Sequence, residues 1–142
     1  MEVIFPTRML VLPGKTLHSI ALKTDGAAYY LRTSFPSFIY FNEVKGATDN
    51  PVALAVAEII KVAGIHRVTD AYGPIPYSKV GVNGEITAAY DSQQEVYTLL
   101  FKKLDEAVKT LSANRTANFS PKADKVYGGN VEKWIKFANS LR

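Results

Sequence analysis

The chain has 142 residues, 47% of them hydrophobic and 21% charged, with a formal net charge of +4; that is the make-up of one globular domain or part of one. It has no cysteine, which excludes disulfides, thiolate metal sites, a cysteine nucleophile and a lipidated cysteine within this sequence. The seventeen lysines and arginines form no basic run or recognisable nucleic-acid module, so nucleic acid is not an expected partner; His18 and His66 stand far apart without ligand spacing, so neither a metal nor a cofactor is expected.

No segment approaches the roughly 20 apolar residues of a membrane helix. The apolar start, MEVIFPTRMLVLPGK, puts Glu2 before any basic residue and is broken by Pro6 and Arg8, so it does not read as a signal peptide. Residues 1–26 carry short apolar runs separated by Pro6-Thr7-Arg8 and a Pro13-Gly14 turn, and are assigned as extended or irregular. Residues 27–46, AAYYLRTSFPSFIYFNEVKG, are aromatic-rich. Tyr29–Leu31 and Phe38–Phe41 have strand propensity. A helix is equally compatible, with Pro36 in its first turn, Phe38, Phe41 and Val44 on one face, and Gly46 at its end.

Asn50-Pro51 is a strong helix start, Asn as N-cap and Pro at the next position. Val52, Val56, Ile59, Ile60, Ala63 and Arg67 lie along one broad face. Only Glu58 and Lys61 are charged between Val52 and Ile65, so this helix is expected to be buried on most sides. His66–Gly81, HRVTDAYGPIPYSKVG, then changes texture. Pro74 and Pro76 fix their own φ and push the preceding residues into extended geometry, so Tyr72–Tyr77 is expected to be a stiff, non-helical corner. Asn83-Gly84 is a tight-turn signal, with Lys79–Val82 and Glu85–Ala88 as possible arms of a small hairpin.

Asp91–Leu111 reads as an amphipathic helix. Asp91-x-x-Gln94 and Ser92-x-x-Glu95 are overlapping capping-box patterns. Val96, Leu100, Leu104, Ala107 and Leu111 form the apolar stripe. Lys102, Lys103, Asp105, Glu106 and Lys109 occupy a solvated face, where Lys102–Asp105 and Lys102–Glu106 have ion-pair spacing. Ser112–Lys125 is a polar loop with sequons at Asn114 and Asn118, a pattern common by chance. Asn130 caps a last helix with Trp134, Phe137, Ala138 and Leu141 on one face. That face is still apolar at Arg142 and no helix-ending residue follows, which reads as truncation.

Three blocks, TDAYGPIPYSK (69–79), AYDSQQEVYTLLFKKLDEAVKTL (89–111) and DKVYGGNVEKWIKFANSLR (124–142), in this order and spacing, resemble the SusD/RagB family of outer-membrane nutrient-binding lipoproteins. The resemblance covers residues 49–142 well and 27–48 weakly, and divides the chain into an irregular aromatic N-terminal segment, 1–48, and a truncated SusD-like helical region, 49–142. It implies a mainly α fold, with tetratricopeptide-like helix pairs as a scaffold and an irregular corner. It also implies oligosaccharide binding without enzymatic activity, and a SusC-like TonB-dependent transporter as partner. The location implied is the outer membrane, reached through the lipid anchor of a full-length protein. Alternating helices that need neighbours to bury their faces agree with a repeat-like scaffold, and a helical module devoted to protein–protein contact is the competing reading.

Asp70, Tyr72 and Tyr77 are the candidate ligand-binding residues. A carboxylate accepts hydrogen bonds from sugar hydroxyls, and aromatic faces suit the C–H faces of a pyranose. The favoured reading of the same residues is that Asp70 caps local backbone N–H groups and the tyrosines pack the corner. Trp134 could stack on a sugar, but its helical spacing with Phe137 and Leu141 points to the core. No two carboxylates are seen to face one pocket, as glycosidases need, and no catalytic residue is assigned.

Overall fold

The computed structural model describes residues 37, 39–80, 88–117 and 120–142. Residues 1–36, 38 and 81–87, and with them the residues 1–26 assigned as extended or irregular, Pro36 and Phe38 of the aromatic stretch and most of the predicted hairpin, lie outside the described residues, as does the Asn118 sequon. Three long helices follow a short helical stretch at residues 39–47: α1 (Pro51–Tyr72), α2 (Gln93–Ala113) and α3 (Val131–Ser140). The protein is mainly α. Among the described residues the sole β feature is an isolated antiparallel bridge between Ile75 and Asp91. Of the two readings open for residues 27–46, the helical one is observed over 39–47. Gly46 lies inside the helical stretch and does not end it.

Asn50 starts α1 as the sequence predicts. Its Oδ1 accepts from the Val52 and Ala53 N–H groups at 2.9 and 3.4 Å. The helix runs through His66–Ala71 and one residue into the expected corner, ending at Tyr72. Proline restricts the residue directly before it, which here is Gly73. Tyr72 is therefore free to stay helical, and Gly73 takes the turn at φ 70°, a conformation that disfavours a side chain. The Gly73 N–H donates to Thr69 O at 2.8 Å, and the fully buried Thr69 hydroxyl donates back to Gly73 O at 2.7 Å.

The buried residues of α1 are Val52, Ala55, Val56, Ile59, Lys61, Val62, Ile65, Val68 and Thr69. Ile60, expected inside, is 49% exposed, and Arg67 is exposed. With 3.6 residues per turn the stripe centred on Ile59, Val62 and Ile65 turns Ile60 and Arg67 away. α2 buries Val96, Leu100, Leu104, Ala107 and Leu111, the predicted stripe without exception, and α3 buries Val131, Trp134, Ile135 and Ala138. The apolar side chains among these, with Ile75 and Tyr77, make one continuous core. Each fully buried aliphatic side chain in it stabilises by roughly 1.5–3 kcal/mol.

The helices alternate in direction. Thr69 and Asp70, at the end of α1, meet Gln93 and Tyr97, at the start of α2. Arg115 pairs with Glu132 and Arg142 with Asp105, so α3 runs back along α2. Asp105 and Glu106 thus do not pair with Lys102 as their spacing allowed. Asp105 reaches Arg142 at 2.8 Å, and Lys103 takes Glu106 at 2.9 Å. Asn114 caps the end of α2, its side chain donating to Thr110 O.

Candidate functional site

Gly73–Val80 leaves α1 and returns against the start of α2, and one carboxylate holds it there. The Ile75 and Asp91 backbones exchange hydrogen bonds at 3.2 and 2.9 Å. The Asp91 side chain accepts from the Tyr77 N–H at 3.0 Å, the Ser78 N–H at 2.7 Å and the Ser78 hydroxyl at 2.6 Å. Burial pushes this carboxyl up. The Ser78 and Tyr77 hydrogen bonds and the nearby Lys79 ammonium outweigh that effect and hold it below the usual carboxylate range. Of the two overlapping capping boxes only Ser92–Glu95 forms, with both of its reciprocal bonds present. Asp91 is thereby left to clamp the corner.

The three candidate residues fall in different surroundings. Asp70 is exposed on the last turn of α1 and accepts the Tyr97 hydroxyl at 2.5 Å. That bond, followed by burial and the Asp70 charge, pushes the Tyr97 phenol up to about 12. Tyr72, two residues on, is 39% exposed; positions i and i+2 of a helix do not share a face. Tyr77 is a core residue, 8% exposed. Burial, with the Glu58 charge adding to it, moves its phenol far above the ordinary range. The structure brings Asp70 together with Tyr97, whose ring lies 5.7 Å from that of the partly exposed Phe101. Of the three candidates, Asp70 and Tyr72 lie at the surface and Tyr77 in the core. Tyr90, 73% exposed, stands next to Asp91. The surface at this end of the helix pair thus offers one carboxylate, phenol hydroxyls and aromatic faces, a set able to hydrogen-bond hydroxyls and stack on apolar ring faces.

A concavity of about 240 Å³ lies between the start of α1 and the end of α2. Pro51, Leu54 and Ala55 line one side and Ala107 and Thr110 the other, with Glu58, Lys103 and Glu106 at its polar edge. Two carboxylates therefore do line one groove, a juxtaposition that linear spacing did not reveal because they sit on different helices. Both are engaged in ion pairs, Glu58 with Lys61 at 2.8 Å and Glu106 with Lys103. Lys61 also lies 3.8 Å above the Phe41 ring. Among the described residues no group of three or more His, Asp or Glu side chains could hold a metal ion.

Trp134 is 2% exposed, with its indole edge-on to Tyr127 and Phe137. Its Nε1–H donates to Asp124 Oδ2 at 2.7 Å. Asp124 also accepts from the Val126, Tyr127 and Gly129 N–H groups. Gly128 and Gly129, at φ 63° and 82°, give the loop the left-handed turn that aims these donors inward. Asp124 and Asp91 are the organising residues that spacing alone did not single out. The signal available was an aspartate directly before a capped helix, and one four residues ahead of a Gly-Gly pair.

The sequence matches the family described as "SusD-like: Susd and RagB outer membrane lipoprotein" over residues 15–142. Among solved structures, a SusD homologue from Bacteroides uniformis is 59% identical, covering 70% of this chain and 20% of its own, with a TM-score of 0.64. A chitin-binding SusD homologue from Flavobacterium johnsoniae is 42% identical, covering 80% and 24%, with a TM-score of 0.68. A SusD-like protein from Bacteroides thetaiotaomicron is 31% identical, covering 82% and 25%, with a TM-score of 0.73. The chain therefore spans about a quarter or less of the length of these relatives. No curated protein matches it.

Proposed function

The chain belongs to the SusD-like family of outer-membrane lipoproteins, and from that premise we propose that it is the helical portion of a protein that captures oligosaccharides for a SusC-like, TonB-dependent transporter. The observation that carries this reading is the family match over residues 15–142. The 42% identity to a chitin-binding homologue places oligosaccharides of N-acetylated sugars first among ligands to be tried. The role is binding without turnover. Asp91 and Asp124 are saturated by internal hydrogen bonds, and Glu58, Asp105, Glu106 and Glu132 stand in ion pairs. Those side chains have structural partners and are poorly placed for acid–base work.

Within this reading Asp70 and Tyr72 are the residues exposed to meet a sugar, and Tyr77 acts from below by fixing the corner. The test is calorimetric titration of the chain with chitooligosaccharides and a panel of neutral glycans. Binding heat for one glycan class, reduced several-fold by Asp70→Asn and by Tyr72→Ala, is the expected result. Heat unchanged by both substitutions would move the contacts elsewhere. Silence toward every glycan would favour the protein–protein scaffold reading, which the unbroken α1–α2–α3 core supports. Release of shorter sugars on incubation would overturn the assignment as a binding protein.

A further inference from the structure

Charge is divided unevenly along this chain. Residues 109–142 hold seven basic and two acidic side chains, a net of +5, whereas residues 1–108 hold ten and eleven, a net of −1. The two acids of the basic lobe do little to neutralise its surface: Asp124 is buried under four hydrogen bonds and Glu132 is paired with Arg115. Lys122 and Lys125 on the loop, and Lys133 and Lys136 on α3, are exposed, and none of the four has an ion-pair partner among the described residues. The Asp124–Trp134 bond ties the loop that carries the first pair to the helix that carries the second. Beside Lys125, Val126 is 65% exposed, while its N–H is held by Asp124 at 3.0 Å. An apolar side chain is thus presented at the tip of a braced cationic loop.

We propose that this lobe is a membrane-facing surface, in which Lys122, Lys125, Lys133 and Lys136 engage anionic lipid headgroups and Val126 enters the interfacial layer. A lipid surface is favoured over other polyanions for two reasons. The family is one of outer-membrane lipoproteins, so a lipid surface lies close to its members. An exposed valine amid lysines also combines the basic and apolar contacts by which peripheral proteins rest on membranes. The sequence-level expectation assigned membrane contact to a lipid anchor alone; a cationic face would add an orientation to such a tether. The inference does not depend on which residues touch glycan.

The test is co-sedimentation of the 142-residue chain with vesicles of phosphatidylcholine alone and of phosphatidylcholine with about one-third phosphatidylglycerol. Binding is expected to the anionic vesicles only, and to weaken steeply as salt rises from about 50 to about 300 mM. The triple variant K122E/K133E/K136E should bind on the order of 100-fold more weakly, since each basic residue near an anionic surface contributes roughly fivefold. The charge-matched variant K45E/K79E/K102E should lose at least tenfold less. Fluorescence of Trp134, the sole tryptophan and a buried one, is the control that reports whether each variant is folded. Equal losses in the two variants would show a response to net charge and overturn the assignment of this face. No binding to anionic vesicles would overturn it outright. Salt-sensitive binding to polygalacturonate without vesicle binding would replace the lipid with an acidic glycan.

Discussion

Replacing Asp124 by alanine tests the claim that one buried carboxylate assembles the end of the molecule. Four donors lose their acceptor at once: Val126, Tyr127 and Gly129 N–H and Trp134 Nε1–H. The indole is 2% exposed, so its N–H has little access to water, and leaving such a donor unsatisfied costs about 1–3 kcal/mol. The three loop amides are only part-buried. Water can replace the carboxylate there, which limits each to a fraction of about 1 kcal/mol. Removing the carboxylate also relieves the cost of burying it. The expected net loss is about 2–4 kcal/mol, against a total of about 5–15 kcal/mol for a domain. Trp134 is the sole tryptophan, so its emission during urea unfolding reads the affected site directly. Burial pushes the Asp124 carboxyl up, but the hydrogen bonds from Tyr127, Trp134, Gly129 and Val126 outweigh it and hold the carboxyl below its ordinary value. Its folded-state affinity for a proton is thus below the unfolded one. The stabilisation is complete above the unfolded carboxylate range, near pH 4, and disappears as pH falls through the folded value. Asp124→Ala should flatten that acid limb of the stability curve. A loss below about 1 kcal/mol, or an acid limb unchanged by the substitution, would refute the reasoning.

Other substitutions probe separate joints. Ile59→Ala should cost about 2–5 kcal/mol in urea unfolding, and Ile60→Ala less than about 0.5 kcal/mol, because Ile59 is fully buried and Ile60 is 49% exposed. Ser92→Ala should cost about 1 kcal/mol by removing the cap of α2, and Gln94→Ala close to nothing, since only the Ser92–Glu95 box forms. Asp91→Ala should speed hydrogen exchange at the Tyr77 and Ser78 amides by an order of magnitude or more while leaving the α2 interior protected; uniform protection would show that the Ile75 bridge suffices alone. Spectrophotometric titration should find the Tyr97 phenol near pH 12, and Asp70→Asn should bring it down toward the ordinary value; an unmoved phenol would deny that the Asp70 bond holds it.

The sequence revealed most where a single helix face decides the outcome. The α2 stripe of Val96, Leu100, Leu104, Ala107 and Leu111 is buried as its periodicity requires, because packing on one side imposes a clean 3.6-residue pattern; of the expected α3 face Trp134 and Ala138 are buried, and Phe137 and Leu141 pack partly buried beside them. α1 was harder. A helix apolar almost all round gives little phase information, and Ile60 was placed inside by residue type when the geometry turns it out. At the end of α1 only Tyr72 departs from the expected corner, because proline constrains itself and the one residue before it, which here is Gly73.

The candidate site was less legible for a different reason: its decisive contacts join residues far apart in sequence. Asp70 meets Tyr97 and the corner amides meet Asp91 only once α1 and α2 lie antiparallel, and no local spacing records such a pairing. Asp91 illustrates the ambiguity. In sequence it could open a capping box as well as Ser92 could. Ser92 sits one residue closer to the helix and takes that role, so the aspartate is released to a longer-range one. A corner of this build is rigid because its apolar anchors, Ile75 and Tyr77, and its polar clamp, Asp91, lie within one short return of the chain. Rigidity of this kind suits a joint that presents neighbouring side chains at fixed positions. Under the proposed glycan-binding reading, Tyr77, the most buried of the three candidates, would act through the corner it anchors and not by touching a sugar itself.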